Sequence, residues 1–223
     1  MTDVIFLITT YNRQAACQRV VDVLKGHGMV CVLNDGCNYD IIGARQIKRN
    51  RHLGKIGYWI TVNQLFNLRG SHKYYIMLPD DWMPVDNMVE KAISLWESII
   101  DEKKICLNLL YPGGVGRTNW TGFPAIDVGT VYKTQWVDMC FICEDSFFQK
   151  LGRIPKIKAS LSSGVGRYIS RMLDGAGLNL YQVKEELFTQ QDEHNISQMR
   201  NKENSGNSHI KRRGITLLPQ IHT

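Results

Sequence analysis

Asp80 and Asp81 stand side by side between the apolar run Tyr74-Tyr75-Ile76-Met77-Leu78-Pro79 and the segment Trp82-Met83-Pro84. A run of aromatic and branched residues that stops at two acids sets both carboxylates at the C-terminal edge of a buried strand, where open α/β sheets bind ligands. Adjacent like charges repel, and a divalent cation, or a diphosphate carried on one, relieves the repulsion. The competing reading is a polar turn capping a helix that starts at Pro84, for which one Asp would suffice. Two further apolar runs end in reactive side chains. Val4-Ile5-Phe6-Leu7-Ile8 runs into Thr9-Thr10-Tyr11-Asn12-Arg13, and Met29-Val30-Cys31-Val32-Leu33 runs into Asn34-Asp35-Gly36.

The segments between these runs carry helical patterns. Ala15, Ala16, Val20, Val23 and Leu24 recur at helical spacing and stop at Gly26-His27-Gly28, so the first 33 residues read as a βαβ unit. Residues 40–55 concentrate cations, Arg45, Lys48, Arg49, Arg51, His52 and Lys55, which either neutralise phosphates or form a solvated positive surface. Ile56 to Leu68 predicts a helix with Ile60, Leu65 and Leu68 inward. Met88, Ala92, Leu95, Trp96 and Ile99 predict the next, and Ile105 to Leu110 a fourth strand. Alternating strands and helices define an α/β fold.

Beyond residue 110 the pattern changes. Residues 111–122 form a glycine-rich loop containing Arg117 and Trp120. Val128 to Tyr132 and Trp136 to Cys143 predict two strands, antiparallel to each other or to the sheet edge, and a short helix follows through Phe147, Phe148 and Leu151. Ser162-Ser163-Gly164-Val165-Gly166 opens a helix over Arg167 to Leu173, either as an ordinary cap or as an anion site. From Gln190 onward the chain turns polar, and residues 201–223 predict a mobile basic tail after one domain over 1–200.

Composition sets the bounds. The 223 residues are 43% hydrophobic and 22% charged, with a net charge of +6 that suits a polyanionic partner without requiring one. Cysteines 17, 31, 37, 106, 140 and 143 are dispersed through apparent core elements, which predicts reduced thiols and a cytoplasmic location. Cys140 and Cys143 have CxxC spacing but sit in an apolar run with no second pair, so they read as buried strand residues rather than zinc ligands. No window reaches the roughly 20 apolar residues of a membrane span, no signal peptide is expected, and no protein partner is indicated.

Taken together, the strand ends resemble the GT-A glycosyltransferases of the large family-2 type. That family ends strand one in Pro/Thr-Thr/Ser-Tyr-Asn, matched by Thr9-Thr10-Tyr11-Asn12, and strand two in Asp-Asp-Gly/Asn, matched by Asn34-Asp35-Gly36 with Asn for the first Asp. A basic glycine-containing stretch is matched by Arg51-His52-Leu53-Gly54-Lys55, and the Asp-x-Asp-type metal motif by Asp80-Asp81-Trp82-Met83-Pro84. The resemblance implies a Rossmann-like sheet with helices on both faces and antiparallel acceptor-side strands. Residues 1–110 would bind a nucleotide-sugar, in the first place a UDP-sugar, and 111–200 the acceptor. It also implies roles. Thr9, Tyr11, Arg13, Asp35, Arg51, Lys55 and Asp80 become donor-binding candidates; Asp81 and His194 become ligands of a divalent cation, Mn2+ or Mg2+.

One departure from the family stands out. Inverting members carry an acidic general base at the start of the helix after the acceptor loop, and the matching stretch, Ser163-Gly164-Val165-Gly166-Arg167, has no carboxylate. Either another acid such as Asp138 takes the proton, or the reaction retains configuration and uses no such base. The charge distribution and the compact Ser-Gly-Val-Gly stretch resemble phage-encoded enzymes that glycosylate hydroxymethylated pyrimidines in DNA. In that case Trp120 and Phe123 would stack on or wedge beside a flipped base, with Ser163 near the acceptor. The alternatives are a transferase building a surface glycan and a non-catalytic nucleotide- or DNA-binding domain.

Overall fold

A computed structural model describes residues 3–111, 125–158 and 163–191. The chain divides at Gln191, and the segment from Asp192 to Thr223 lies outside the described residues, as do Trp120 and Phe123.

The apolar runs form the middle of the sheet. β1 (Val4–Thr10) pairs in parallel with β2 (Met29–Asn34) on one side and with β4 (Tyr74–Pro79) on the other. Side chains alternate across β1, so Val4, Phe6 and Ile8 face one core while Ile5 and Leu7 face the other. The first core is closed by α1 (Gln14–Leu24) and α3 (Met88–Ser98). The second is closed by α2 (Gly54–Phe66), α4 (Asp145–Leu151) and α5 (Val165–Gly175). Burial on both faces is why these strands read as unbroken apolar runs.

Among the described residues the main sheet has nine strands in the order β3-β2-β1-β4-β9-β6-β10-β8-β7. β3 (Arg45–Lys48) is an edge strand inside the basic stretch with no apolar pattern to announce it, since Ile47 is its one apolar residue. Past β4 the expected layout changes. The segment 136–143 yields only β9 (Phe141–Cys143), which lies in the middle of the sheet, antiparallel to both β4 and β6 (Lys104–Asn108). Ile142 faces Ile76 on one side and Leu107 on the other and is wholly buried. β10 (Asn179–Val183) runs parallel to β6, and β8 (Val131–Thr134) and β7 (Ala125–Asp127) complete the antiparallel side.

Two local expectations change. No helix starts at Pro84: Trp82–Pro84 is a short strand, β5, paired with β11 (Phe188–Gln190), and α3 begins at Met88 behind Asn87. A proline without an N–H fits the rim of a two-stranded ribbon. In α2, Ile60 is only half-buried, while Thr61, Val62, Leu65 and Phe66 fill the core. Cys140 and Cys143 are buried free thiols, as the apolar run implied, and the other four cysteines are also free.

Because Ile142 bridges the two halves of the sheet, Ile142→Ala should lower stability by about 2–5 kcal/mol in urea denaturation. A change under about 0.5 kcal/mol, the size expected of a surface site, would show that β9 is not structurally central.

Candidate active site

The ends of β1, β2 and β4 lie side by side, because three parallel strands in register finish on one edge. Asn12 turns the chain from β1 into α1 through a left-handed conformation (φ 54°), which asparagine tolerates better than most residues. That turn brings Arg13 back over the end of β4. Arg13 Nε donates to Asp80 Oδ2 at 3.1 Å, Nη1 donates to Asp81 Oδ2 at 3.1 Å, and Nη2 makes an ion-pair contact with Asp80 Oδ1 at 2.5 Å, off the hydrogen-bond direction. Both acids are buried, Asp80 completely. Burial pushes the Asp80 carboxyl up to about 6, and the Arg13 charge and the Thr10 hydroxyl pull against that rise. Neither Asp caps a helix. The turn-cap reading of the pair is therefore set aside, and the strand-edge reading holds.

The acid pair is also tied to the last described residue. Gln191 donates its backbone N–H to the Asp81 carbonyl at 3.1 Å, and its side-chain oxygen accepts from Arg19 at 2.8 Å. His194, three residues further on, lies outside the described residues.

At the second strand mouth Asn34 has a physical reason to be an amide rather than an acid. The wholly buried Asn34 side chain donates to the Tyr39 carbonyl at 3.2 Å and accepts from the Cys37 N–H at 3.1 Å. A carboxylate could do only the second. The Tyr39 hydroxyl reaches across to Thr10 Oγ1 at 3.0 Å and accepts from the Arg13 N–H at 3.2 Å, so β2's loop braces β1's.

Asp35 has an internal partner that the sequence did not single out. Arg49 Nη1 donates to Asp35 Oδ1 at 2.7 Å and to Thr61 Oγ1 at 2.7 Å, and Nε donates to Gln64 Oε1 at 2.9 Å. His52 Nδ1 lies 3.1 Å from Asp35 Oδ2 and 3.0 Å from its carbonyl. The His52 ring stacks on Tyr11 with centroids 3.5 Å apart and 12° between planes. Two side chains of the basic run are thus spent on the fold's own groups, and Lys48 pairs with Asp40. Arg51 and Lys55 are exposed.

Thr9 lies 3.5 Å from the buried Tyr58 hydroxyl, whose ionisation burial pushes up to about 12. The charges of Asp138, Asp80 and Asp81 push the Tyr58 hydroxyl in the same direction as its burial. Sequence periodicity treated Tyr58 as ordinary helix, and only its position against Thr9 marks it. Asp138 sits between β8 and β9, held by α5. Ser170 Oγ accepts from the Val137 N–H at 3.0 Å, and a side chain at Gly166 would meet the Val137 carbonyl at 3.0 Å and Asp138 Cα at 3.8 Å. Burial raises the Asp138 carboxyl above the usual carboxylate range, and the Met139 N–H bond at 2.8 Å opposes it. Ser163 is half-buried and its hydroxyl lies 3.5 Å from the Val165 N–H.

Among the described residues no three His, Cys, Asp or Glu side chains converge as metal ligands. Asp80 and Asp81 nevertheless suit a hard divalent cation of the kind held by one or two carboxylates together with substrate phosphates. Among the described residues no helix is long and apolar enough to cross a membrane.

No family model and no curated protein sequence matches the chain. Solved structures do. S. aureus TarS, residues 1–349, superposes with a TM-score of 0.58 at 10% identity over 95% of this chain and 67% of that one. GalNAc-T7, crystallised with UDP, GalNAc and Mn2+, gives 0.59 at 14% identity over 82% of this chain and 43% of that one. Glucosyl-3-phosphoglycerate synthase from Mycobacterium tuberculosis, in complex with Mn2+ and UDP-glucose, gives 0.56 at 14% identity over 91% and 76%. The chain has the mostly parallel α/β sheet of the GT-A fold.

Gly36 (φ +97°) allows the Asp35 loop to lie against the next turn: a side chain there would meet the His52 nitrogen at 2.2 Å and the Arg51 carbonyl carbon at 2.5 Å. Gly36→Ala should therefore destabilise the protein by about 1–3 kcal/mol, read in thermal denaturation. An unchanged melting midpoint would contradict this packing.

Proposed function

We propose that the chain is a metal-dependent glycosyltransferase that moves a sugar from a nucleoside diphosphate sugar, first a UDP-sugar, to a hydroxyl acceptor. The observation that carries the reading is the convergence of Asp35, Tyr11 and the Asp80-Asp81 pair on one edge of a GT-A sheet. A divalent cation, Mn2+ or Mg2+, held through Asp81 would supply positive charge to the departing diphosphate. Asp35 accepts the nucleobase imide N–H. A carboxylate has about four lone-pair sites, so its contacts with Arg49, His52 and the Leu53 N–H leave room for one more. The Tyr11–His52 stack presents an aromatic platform to the base. Asp80 faces the ribose or the cation, and the exposed Arg51 and Lys55 serve the phosphates.

Asp138 stands in for the missing base. The first turns of α5 carry no acid, but Gly166 lets that helix close onto Asp138, which offers a carboxylate from a neighbouring segment instead. As the acceptor oxygen bonds to the anomeric carbon, its proton passes to Asp138 and the bond to the diphosphate breaks, with the electron pair leaving on phosphate oxygen. For the acceptor we propose a hydroxymethylated pyrimidine in DNA. The exposed cations Arg51 and Lys55 beside the donor mouth support a polyanion.

Incubation with Mn2+ and a panel of UDP-sugars should show slow donor hydrolysis, and Asp81→Ala should reduce it roughly 10²- to 10³-fold. Binding without turnover on any acceptor would favour the non-catalytic reading. A general base works deprotonated, so transfer should fall as pH drops through the raised pKa of Asp138. Asp138→Asn should lower the rate about 10²- to 10⁴-fold. A loss of less than about tenfold in Asp138→Asn would remove Asp138 from the role. Mass spectrometry of hydroxymethylated against plain duplex DNA tests the acceptor: a hexose- or pentose-sized shift on the former is expected, and no shift on any modified DNA refutes it.

A further inference from the structure

Resting on the DNA-acceptor reading above, we propose that the outer surface of α4, the segment 152–158 and α5 docks the phosphate backbone of duplex DNA. Residues 150–173 hold six of the 27 lysines and arginines, Lys150, Arg153, Lys156, Lys158, Arg167 and Arg171, and none of the 21 acids. The rest of the chain is therefore neutral, and this stretch carries the whole net charge of +6. All six side chains are exposed, and among the described residues none makes an ion pair or a side-chain hydrogen bond. Elsewhere surface lysines find acids, as Lys48 does in Asp40, Lys73 in Glu97 and Lys91 in Glu185.

The fold gathers these cations on one face. α4 enters the second core through Phe147, Phe148 and Leu151, and α5 enters it through Val165, Ile169 and Leu173. With those residues inward, Arg167 and Arg171, one turn apart, share the outward face of α5, and the first acid, Asp174, comes only at its end. The segment 152–158 is pinned: the Asn63 side chain donates to the Ile154 carbonyl at 2.8 Å and accepts from its N–H at 3.0 Å. Ile157 lies against the start of α5, where a side chain at Gly164 would meet its Cγ2 at 3.1 Å, so Lys156 and Lys158 flank that helix start. Like charges held together without acids repel, and a polyanion relieves the repulsion while releasing its own counterions. Exposed cations spread over two helices suit a polymer rather than one phosphate in a pocket. The surface borders the proposed base, because Gly166, next to Arg167, packs on Asp138.

The test is binding of an unmodified fluorescein-labelled duplex, read by fluorescence anisotropy over a range of salt. Wild type is compared with Arg167→Gln/Arg171→Gln and with Lys91→Gln/Lys103→Gln, which removes equal charge from α3 and the turn before β6. Each phosphate contact contributes about −0.9 to the slope of log K against log salt, so wild type should give a slope of roughly −3 to −5. The arginine pair should make that slope shallower by about 2 and weaken binding roughly tenfold. The lysine pair should stay within about twofold of wild type. Melting midpoints check folding, and if the arginine pair fails to fold, Lys156→Gln/Lys158→Gln should give the same loss. Equal slopes in the two double variants, no duplex binding at low salt, or binding only to phosphatidylserine vesicles each overturns the surface. Duplex binding with the expected slopes but no mass shift on hydroxymethylated DNA supports the surface and defeats the acceptor reading.

Discussion

A wholly buried carboxylate at the end of a central strand needs a cation, and in this protein Arg13 supplies it. Removing one partner from a buried pair typically costs about 3–5 kcal/mol, because the other charge is left without compensation. The Arg13–Asp80 contact therefore constrains more than two side chains. It fixes the end of β1 against the end of β4, and through the Tyr39 hydroxyl it draws in the loop after β2. Gln191 closes the same cluster from the far end of the described chain, with its N–H on the Asp81 carbonyl. Three strand mouths are held together by polar contacts made at their tips, on a sheet whose interior is apolar.

The second cluster follows the same logic. Asp35 is nearly buried and is balanced by Arg49, which α2 holds in place through Thr61 and Gln64. The basic stretch between β2 and α2 thus serves two ends. Arg49 and His52 organise the acid and the aromatic face that a nucleobase would meet, while Arg51 and Lys55 remain at the surface. Substituting Asn34 for an acid removes a third buried charge from this corner and gives the loop a donor it needs.

What could be read in the sequence depended on how local its cause is. β1, β2 and β4 are legible because strands buried on both faces must be apolar throughout, and their polar ends then announce the site. The sheet order is not legible beyond β4. Nothing in Phe141-Ile142-Cys143 says that it inserts between β4 and β6, since that placement comes from pairings made across more than thirty residues on either side. β3 was missed because an edge strand with exposed Arg45 and Lys48 has no apolar pattern. Pro84 misled because proline suits a helix start and a ribbon rim alike, and the deciding partner, Phe188, lies a hundred residues away. The identities of the acids were legible, but their partners were not. Arg13 and Arg49 carry no local mark that separates a counter-ion from a surface charge.

What occupies Asp81 when donor is bound is the central question. The direct measurement is a crystal structure with UDP and Mn2+, with anomalous scattering recorded at the manganese edge. One anomalous peak is predicted in bonding distance of the Asp81 carboxylate and the diphosphate. Manganese bound elsewhere while nucleotide fills the site would contradict this.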